Sequence, residues 1–203
     1  MRLQSFCIRL GFSTLALTAA ACGDDGGATN DNEVITTVTL TFTPSGGGAA
    51  ITAEFNDPDG DGGQAPTIQP INLTNNTTYT MTVGFQNRLE SQPEEITTEV
   101  MDESDLHLLL FTGTAVVGPA TSNTTGPLTH AYADMDVNGL PIGLENTVMA
   151  KTGTGMMTVT LRHMPPEEPP QKASDTVAKV KASGVDSIGG STDASVTFMA
   201  TVP

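Results

Sequence analysis

A strict two-residue alternation of apolar and hydroxyl side chains constrains this chain more than any other feature. In the run VITTVTLTFT, residues 34–43, Val38, Leu40 and Phe42 fall on one face and threonines on the other. This period, built from β-branched residues, is typical of a β-strand with one buried face. Further runs of strand character are residues 51–55, 79–85, 106–111, 128–134, 157–163 and 194–202.

These runs predict an all-β fold. Seven or eight short strands separated by turn residues indicate an immunoglobulin-like β-sandwich, and the length favours one domain over residues 33–203. Residues 106–111 are apolar on both faces, which predicts a central strand. Residues 94–105 predict a short helix or turn. Residues 165–193, rich in Pro, Ser and Gly, predict one long loop before the last strand.

The N-terminus predicts a lipoprotein signal peptide over residues 1–21. Arg2 and Arg9 form a short basic region before an apolar run, residues 10–21, that is too short to span a bilayer as an ordinary helix. The run ends in Ala19-Ala20-Ala21-Cys22, which resembles the lipobox of bacterial lipoproteins, where the cysteine carries a diacylglycerol and the chain is cut just before it. The alternative is an ordinary signal peptide in which Cys22 is incidental.

Residues 22–32 predict the lipidated Cys22 followed by an acidic, flexible tether. The prediction places the protein at the outer membrane, anchored by lipid and facing either the periplasm or the cell surface. Its predicted partners are the membrane, through the anchor, and an outer-membrane protein. Cys7 would leave with the signal peptide, so no cysteine remains for a disulfide or a thiolate site.

Charge and composition exclude several classes of function. Eight basic residues stand against 23 acidic ones, a net charge of −15, and cleavage before Cys22 would make it −17 because Arg2 and Arg9 are removed. Nucleic acid is therefore excluded as a partner. Trp is absent, which disfavours carbohydrate binding. No nucleophile elbow, H-E-x-x-H motif or P-loop occurs, and the sequence predicts a protein that is not an enzyme.

Two acidic segments predict calcium-stabilised loops. In the first, Asp57, Asp59 and Asp61 alternate before glycine, as in the opening of a calcium loop, but Ile68 at the twelfth position excludes a complete EF-hand. The alternative is a plain acidic turn.

The second acidic segment matches a full calcium-loop pattern. Residues 134–145 would supply Asp134, Asp136, Asn138 and Glu145 as ligands. The flanking residues have the pattern of strands rather than helices, so a calcium-stiffened β-loop is the form to expect. The alternative is a hairpin loop in which Asn138-Gly139 supplies the turn.

Two histidines predict a different metal site. His107 and His163 lie on strand faces beside apolar residues, and Met101 and Met164 are near them in sequence. Imidazoles suit zinc, and imidazoles with thioethers suit copper. The alternative is a pair of strand-edge histidines with local hydrogen bonds, together with methionines that fill the core.

The chain also resembles a family of small lipoproteins of Gram-negative bacteria that has no established activity. The resemblance runs over residues 33–202 and is carried by EVITTVTLTFTP, FNDPDGDGG, LTNNTTYTMTVGFQN, EEITTEVMDESDLH, NGLPIGL and TVTLRHMP. Such chains are often labelled as having the type 1 periplasmic-binding fold. That fold needs two α/β lobes with many amphipathic helices, whereas this sequence has the pattern of successive strands, so the resemblance implies location and general shape.

The leading functional hypothesis is a lipid-anchored, outer-membrane β-sandwich that acts as a non-enzymatic binding or accessory module, with calcium in its acidic loops. The alternative hypothesis is a protein that captures a metal or solute beside an outer-membrane transporter, through His107 and His163.

Overall fold

The computed structural model describes residues 33–60, 62–89 and 91–203. The predicted signal peptide, Cys22 and the tether lie outside these residues, and so does Asp61. Within the described residues, no helix has the length and apolar character needed to cross a membrane.

Eight strands of five or more residues and four two-residue strands make up the described part of the fold. In chain order they are β1 (Thr37–Pro44), β2 (Ile51–Asn56), β3 (Thr67–Ile68), β4 (Ile71–Asn72), β5 (Thr77–Asn87), β6 (Glu94–Glu95), β7 (His107–Thr112), β8 (Val116–Val117), β9 (Leu128–Tyr132), β10 (Glu145–Ala150), β11 (Gly153–His163) and β12 (Ser191–Val202). The helices are α1 (Ile96–Asp102) and α2 (Thr176–Ser183), and a 3-10 turn covers Val185–Ser187. Helix α1 confirms the prediction of a short helix within residues 94–105.

The strands form two sheets whose order identifies the sandwich. One sheet has the order β3-β2-β1-β5-β10-β9-β8, with β6 paired to β5, and the other has the order β4-β12-β11-β7. The sub-orders β1-β5-β10-β9 and β7-β11-β12 correspond to strands ABED and CFG of a constant-type immunoglobulin domain. The predicted immunoglobulin-like β-sandwich is therefore confirmed, with β2 and β3 added beyond β1.

The core lies between the two sheets, as the alternating sequence requires. On β1 the apolar side chains of Val38, Leu40 and Phe42 are buried, and on the opposite sheet Phe111 and Phe198 are buried in the same cluster. A chain of this size can be stable without a disulfide because burial of roughly two-thirds of its unfolded surface supplies enough apolar contact.

Strand β7 corrects the prediction of a central strand at residues 106–111, because it is the edge strand of its sheet. It is apolar on both faces for another reason. Leu109 and Phe111 point into the main core, and Leu108 and Leu110 pack in a second apolar cluster with Val180 of α2. Burial of both faces, rather than a central position, accounts for the continuous apolar run.

Helix α2 corrects the prediction of one uninterrupted loop over residues 165–193. The segment contains this eight-residue helix and the 3-10 turn, and β12 already begins at Ser191. Val180 gives the helix a buried face, Asp175 and Lys179 form an i,i+4 ion pair of 3.0 Å, and Gly184 ends the helix with φ of +85°. The loop prediction was wrong because the Ser- and Gly-rich flanks outweighed this weak helical pattern.

The free edge of β7 is covered by other parts of the chain. The Leu109 N–H donates to the carbonyl of Ile142 at 2.8 Å, and the Leu109 carbonyl accepts from the Tyr132 hydroxyl at 2.8 Å. The Lys172 ammonium donates to the carbonyl of His107 at 2.9 Å. These contacts satisfy backbone groups that an unpaired edge would leave open.

Lys172 is itself held by a buried carboxylate. Its ammonium lies 2.8 Å from Asp136 Oδ2, with both side chains almost fully buried, and it also donates to the carbonyl of Ser104 at 2.8 Å. Burial raises the pKa of Asp136, but the Lys172 ammonium and two backbone amides outweigh it and hold the pKa below its usual range. The ion pair ties the segment before α2 to the loop at residues 134–145, and the carbonyl contacts of Lys172 tie it to the start of β7.

We expect Lys172→Met to lower the free energy of unfolding by about 3–5 kcal/mol, because it leaves the Asp136 carboxylate buried without its ion-pair partner. Adding Asp136→Asn should recover much of this loss, since the neutral amide oxygen can still accept the same backbone hydrogen bonds. Urea unfolding of the two variants measures the difference. A double variant no more stable than Lys172→Met would contradict the assignment of the loss to an unpaired charge.

Candidate metal centre

Two histidines from neighbouring strands face each other at one end of the core. His107 begins β7 and His163 ends β11, and the two are direct cross-strand partners. Their rings are stacked, with centroids 4.6 Å apart and an angle of 8° between the ring planes.

The strand pairing explains why the rings are so close. Because Leu109 directs its N–H and carbonyl away from β11, the residues two positions along β7 share that direction. His107 and His163 are therefore a non-hydrogen-bonded pair, the type in which opposed side chains approach most closely.

A backbone hydrogen bond fixes the orientation of the His107 ring. Its Nδ1 lies 3.1 Å from the carbonyl of Glu103, the residue that caps the C-terminus of α1, and must donate because a carbonyl only accepts. The other nitrogen, Nε2, is buried and has no hydrogen-bond partner. Burial lowers the pKa of His107 to about 4, so the ring is neutral at pH 7 with a free lone pair on Nε2. Metal-ligating histidines show this same arrangement.

A buried carboxylate faces that lone pair. Asp193 Oδ2 lies 3.9 Å from His107 Nε2, the Asp193 side chain is 0% exposed, and neither of its oxygens has a hydrogen-bond partner. Burial raises the pKa of Asp193 to about 6. The sequence gives no hint of this placement, because Asp193 is the extra residue of a β-bulge: Leu161 pairs with Ala194, whereas Arg162 pairs with Thr192.

The turn before β12 holds the bulge in place. The buried Arg162 guanidinium donates to Thr192 Oγ1 at 2.6 Å and to the carbonyls of Gly189 and Gly190. Gly190 has φ of +78°, and a Cβ on it would lie 2.0 Å from the carbonyl oxygen of His163. Only glycine fits here, because any side chain would push the chain away from His163.

Glu103 closes the group on its exposed side. Its Oε2 lies 4.0 Å from His163 Nε2, and one donor atom from each of Glu103, His107 and His163 lies within 4.8 Å of the others. Further acidic residues adjoin the group. Burial raises the pKa of Glu33 to about 7, with added repulsion from Glu99, Asp193 and Glu103.

The donor set is two imidazoles and two carboxylates. Zinc accepts this combination of nitrogen and oxygen ligands in tetrahedral geometry, at about 2.0–2.2 Å. The separations of 3.9 Å between His107 Nε2 and Asp193 Oδ2 and of 4.0 Å between His163 Nε2 and Glu103 Oε2 exceed the roughly 3.4 Å between ligand atoms of a filled tetrahedral site. Because the two imidazole planes are nearly parallel, the rings would also have to turn for both lone pairs to reach one ion. Thioether ligation is not supported by the geometry, since Met164 packs in the second apolar cluster and Met101 is half exposed on α1.

The structure therefore brings together His107 and His163, as the alternative hypothesis requires, and adds Glu103 and Asp193, which sequence reasoning missed. A signal for Glu103 was present, since it precedes His107 by four residues at the end of the predicted helix.

The carboxylates of the second acidic loop already have partners. Asp134 accepts from the N–H groups of Gly143 and Glu145 at 2.8 and 2.9 Å. Asp136 Oδ1 accepts from Asn138 and Leu140, and Oδ2 pairs with Lys172. These carboxylates organise the loop that covers β7, and an ammonium stands beside Asp136.

The remaining predicted calcium ligands are more open. Asn138 and Glu145 are exposed, and Gly139 has φ of +73°, as the turn alternative requires at that position. In the first acidic loop Asp57 and Asp59 are half-buried, and Asp59 Oδ2 accepts from the Gln64 N–H at 3.2 Å. Asp61 lies outside the described residues.

The third histidine of the chain, His130, belongs to the core. Its Nε2 donates to Asn146 Oδ1 at 2.8 Å, and its Nδ1 is buried without a partner. Burial lowers its pKa to about 4, so folding requires the neutral ring.

This requirement predicts a pH dependence. With a pKa of about 4 in the folded state against 6.5 for the free side chain, protonation favours unfolding, and stability falls as pH drops from about 6.5 towards 4. His130→Gln, which keeps a donor for Asn146, should remove about 2–3 kcal/mol of the loss between pH 7 and 4.5. Denaturant unfolding at both values measures it. Equal losses in both proteins would contradict the prediction.

Comparison with protein-family models, with curated proteins and with solved structures finds no match to this chain. The likeness to an immunoglobulin domain is therefore one of strand order.

Proposed function

We propose that this protein is a non-enzymatic module that binds a divalent transition metal ion, with zinc as the best match, through His107, His163, Asp193 and Glu103. One observation carries the proposal: the Asp193 carboxylate is fully buried without a hydrogen-bond donor, beside a histidine nitrogen that is also unpartnered.

The energetics of burial support an ion at this position. A carboxylate without a donor inside a protein costs several kcal/mol, and buried polar groups are paired in nearly all native structures. The Arg162 guanidinium supplies nearby positive potential, but no group in the described part of the chain donates a hydrogen bond to Asp193. A divalent cation would satisfy both the carboxylate and the lone pair of His107 Nε2.

The ligand types favour zinc over the other ions that the sequence suggested. Calcium takes six to eight oxygen ligands, so two imidazoles count against it. Copper(I) prefers thioethers, and Met164 points to the other face of the sheet. One donor atom each from His107, His163 and Glu103 lies within 4.8 Å of the others, and Asp193 Oδ2 lies 3.9 Å from His107 Nε2. Nitrogen and carboxylate ligands of these types match a zinc site.

The proposal includes an anchored location, which rests on the sequence. Cys22, at the end of the apolar run, would carry the lipid, and residues 23–32 would hold the sandwich at the outer membrane beside a protein partner such as a transporter. The net charge of −17 after cleavage before Cys22 would attract cations towards the domain.

Calcium in the first acidic loop is a second candidate. Asp57 Oδ1 and Asp59 Oδ1 are shielded from solvent and have no hydrogen-bond partner. An ion there would stiffen the turn after β2 without involving the histidines. Calcium added to a variant that cannot bind zinc reports on this loop separately.

We expect the purified protein, stripped with a chelator, to bind one zinc ion in a calorimetric titration. His163→Ala should weaken the affinity by at least about 100-fold, because loss of a direct ligand costs more than the 10–100-fold typical of an outer-shell partner. His130→Gln, a histidine change in the core, is the matched control and should leave the affinity unchanged.

Asp193→Asn should raise the melting temperature of the zinc-free protein and remove the stabilisation by zinc. Without zinc the variant should melt at a higher temperature than the natural protein, because a neutral amide replaces an unsatisfied buried carboxylate. Saturating zinc should raise the melting temperature of the natural protein by several degrees and that of the variant hardly at all. A natural protein that neither binds zinc nor gains stability from it would rule out the proposed function.

A further inference from the structure

The four groups of the proposed metal site differ greatly in exposure. The side chains of His107 and Asp193 are 1% and 0% exposed, His163 is 15% exposed, and Glu103 is 55% exposed. A purely structural metal site is closed on all sides, whereas this one has three sheltered donors and one that faces solvent.

From this asymmetry, and resting on the proposed zinc site, we infer that Glu103 is an exchangeable ligand and that the metal is cargo. The ion enters and leaves on the Glu103 side, where a carboxylate or imidazole of an incoming carrier takes the place of the Glu103 carboxylate. His107, His163 and Asp193 form the fixed part of the site.

The backbone and the side chain of Glu103 have separate roles: the backbone carbonyl orients His107, and the carboxylate approaches the metal site. Its N–H donates to the Glu99 carbonyl at 2.9 Å, and its carbonyl accepts from His107 Nδ1 at 3.1 Å. The carboxylate extends from this fixed point, and its contact with the group is the 4.0 Å approach to His163 Nε2. The side chain can therefore swing away from the ion without disturbing the orientation of His107.

The sheltered donors lack that freedom. His107 and His163 stand on paired strands, and Asp193 is fixed by the bulge that Arg162 anchors. None of the three has a solvent-facing side chain like that of Glu103: His107, His163 and Asp193 are 1%, 15% and 0% exposed, and the His107 ring is also held by its hydrogen bond to the Glu103 carbonyl. Exchange is thus confined to the side chain at the end of α1.

The surroundings of Glu103 favour the approach of a cation from that side. Glu99 is exposed on α1, and Glu33 hydrogen-bonds with it and is repelled by both Glu103 and Asp193. Acidic groups at the mouth of a site raise the local concentration of cations and their rate of association.

The test is the rate at which zinc leaves the loaded, full-length protein for a chromogenic chelator in a stopped-flow experiment. The natural protein should release zinc faster as the chelator concentration rises, since the incoming donor replaces Glu103. Glu103→Gln should still bind one zinc ion but release it at least about tenfold faster, because one direct ligand is missing. Glu103→Asp, which keeps a shorter carboxylate, should fall between the two.

Glu167→Gln is the matched control, since it removes the same charge from an exposed position and should leave the release rate unchanged. A Glu103→Gln release rate equal to the natural one would overturn the inference, and so would complete loss of binding, which would make Glu103 a fixed ligand. Failure of the natural protein to bind zinc would instead overturn the proposed site itself, so the two failures are distinguishable.

Discussion

The backbone of β7 is the constraint on which the site and its surroundings depend. An edge strand must find partners for its outward N–H and carbonyl groups, and here Ile142, Tyr132 and Lys172 supply them. The same outward direction at Leu109 makes His107 and His163 a closely spaced, non-hydrogen-bonded pair. The close approach of the two imidazoles is therefore a consequence of the register between β7 and β11.

The acidic loop at residues 134–145 has a structural role at this strand edge, because it covers β7. Its sequence matches a calcium loop, yet Asp134 binds the amides of its own loop and Asp136 pairs with Lys172. In this arrangement an ammonium contributed by a distant segment neutralises the buried carboxylate. A calcium site needs oxygen ligands with free lone pairs, and correct residue types at the correct spacing do not guarantee them.

The strands were predictable because apolar residues alternate with polar ones wherever one face of a strand is buried, as at Val38, Leu40 and Phe42. The edge position of β7 was not, since a strand covered on both faces has the same apolar pattern as a central one. Helix α2 was hidden by its small size and its Ser- and Gly-rich flanks. His107 and His163 could be proposed from the sequence. Asp193 could not, because it reaches the histidines through a β-bulge that no local sequence pattern predicts.

The most direct test of the proposed metal site is X-ray diffraction from zinc-soaked crystals, recorded above and below the zinc absorption edge. We expect an anomalous peak between His107 Nε2, His163 and Asp193, at about 2.0–2.2 Å from the ligand atoms. A peak elsewhere, for example at the acidic loops, would contradict it. So would the absence of a peak together with a direct hydrogen bond from a protonated histidine to Asp193, since the buried carboxylate would then need no metal.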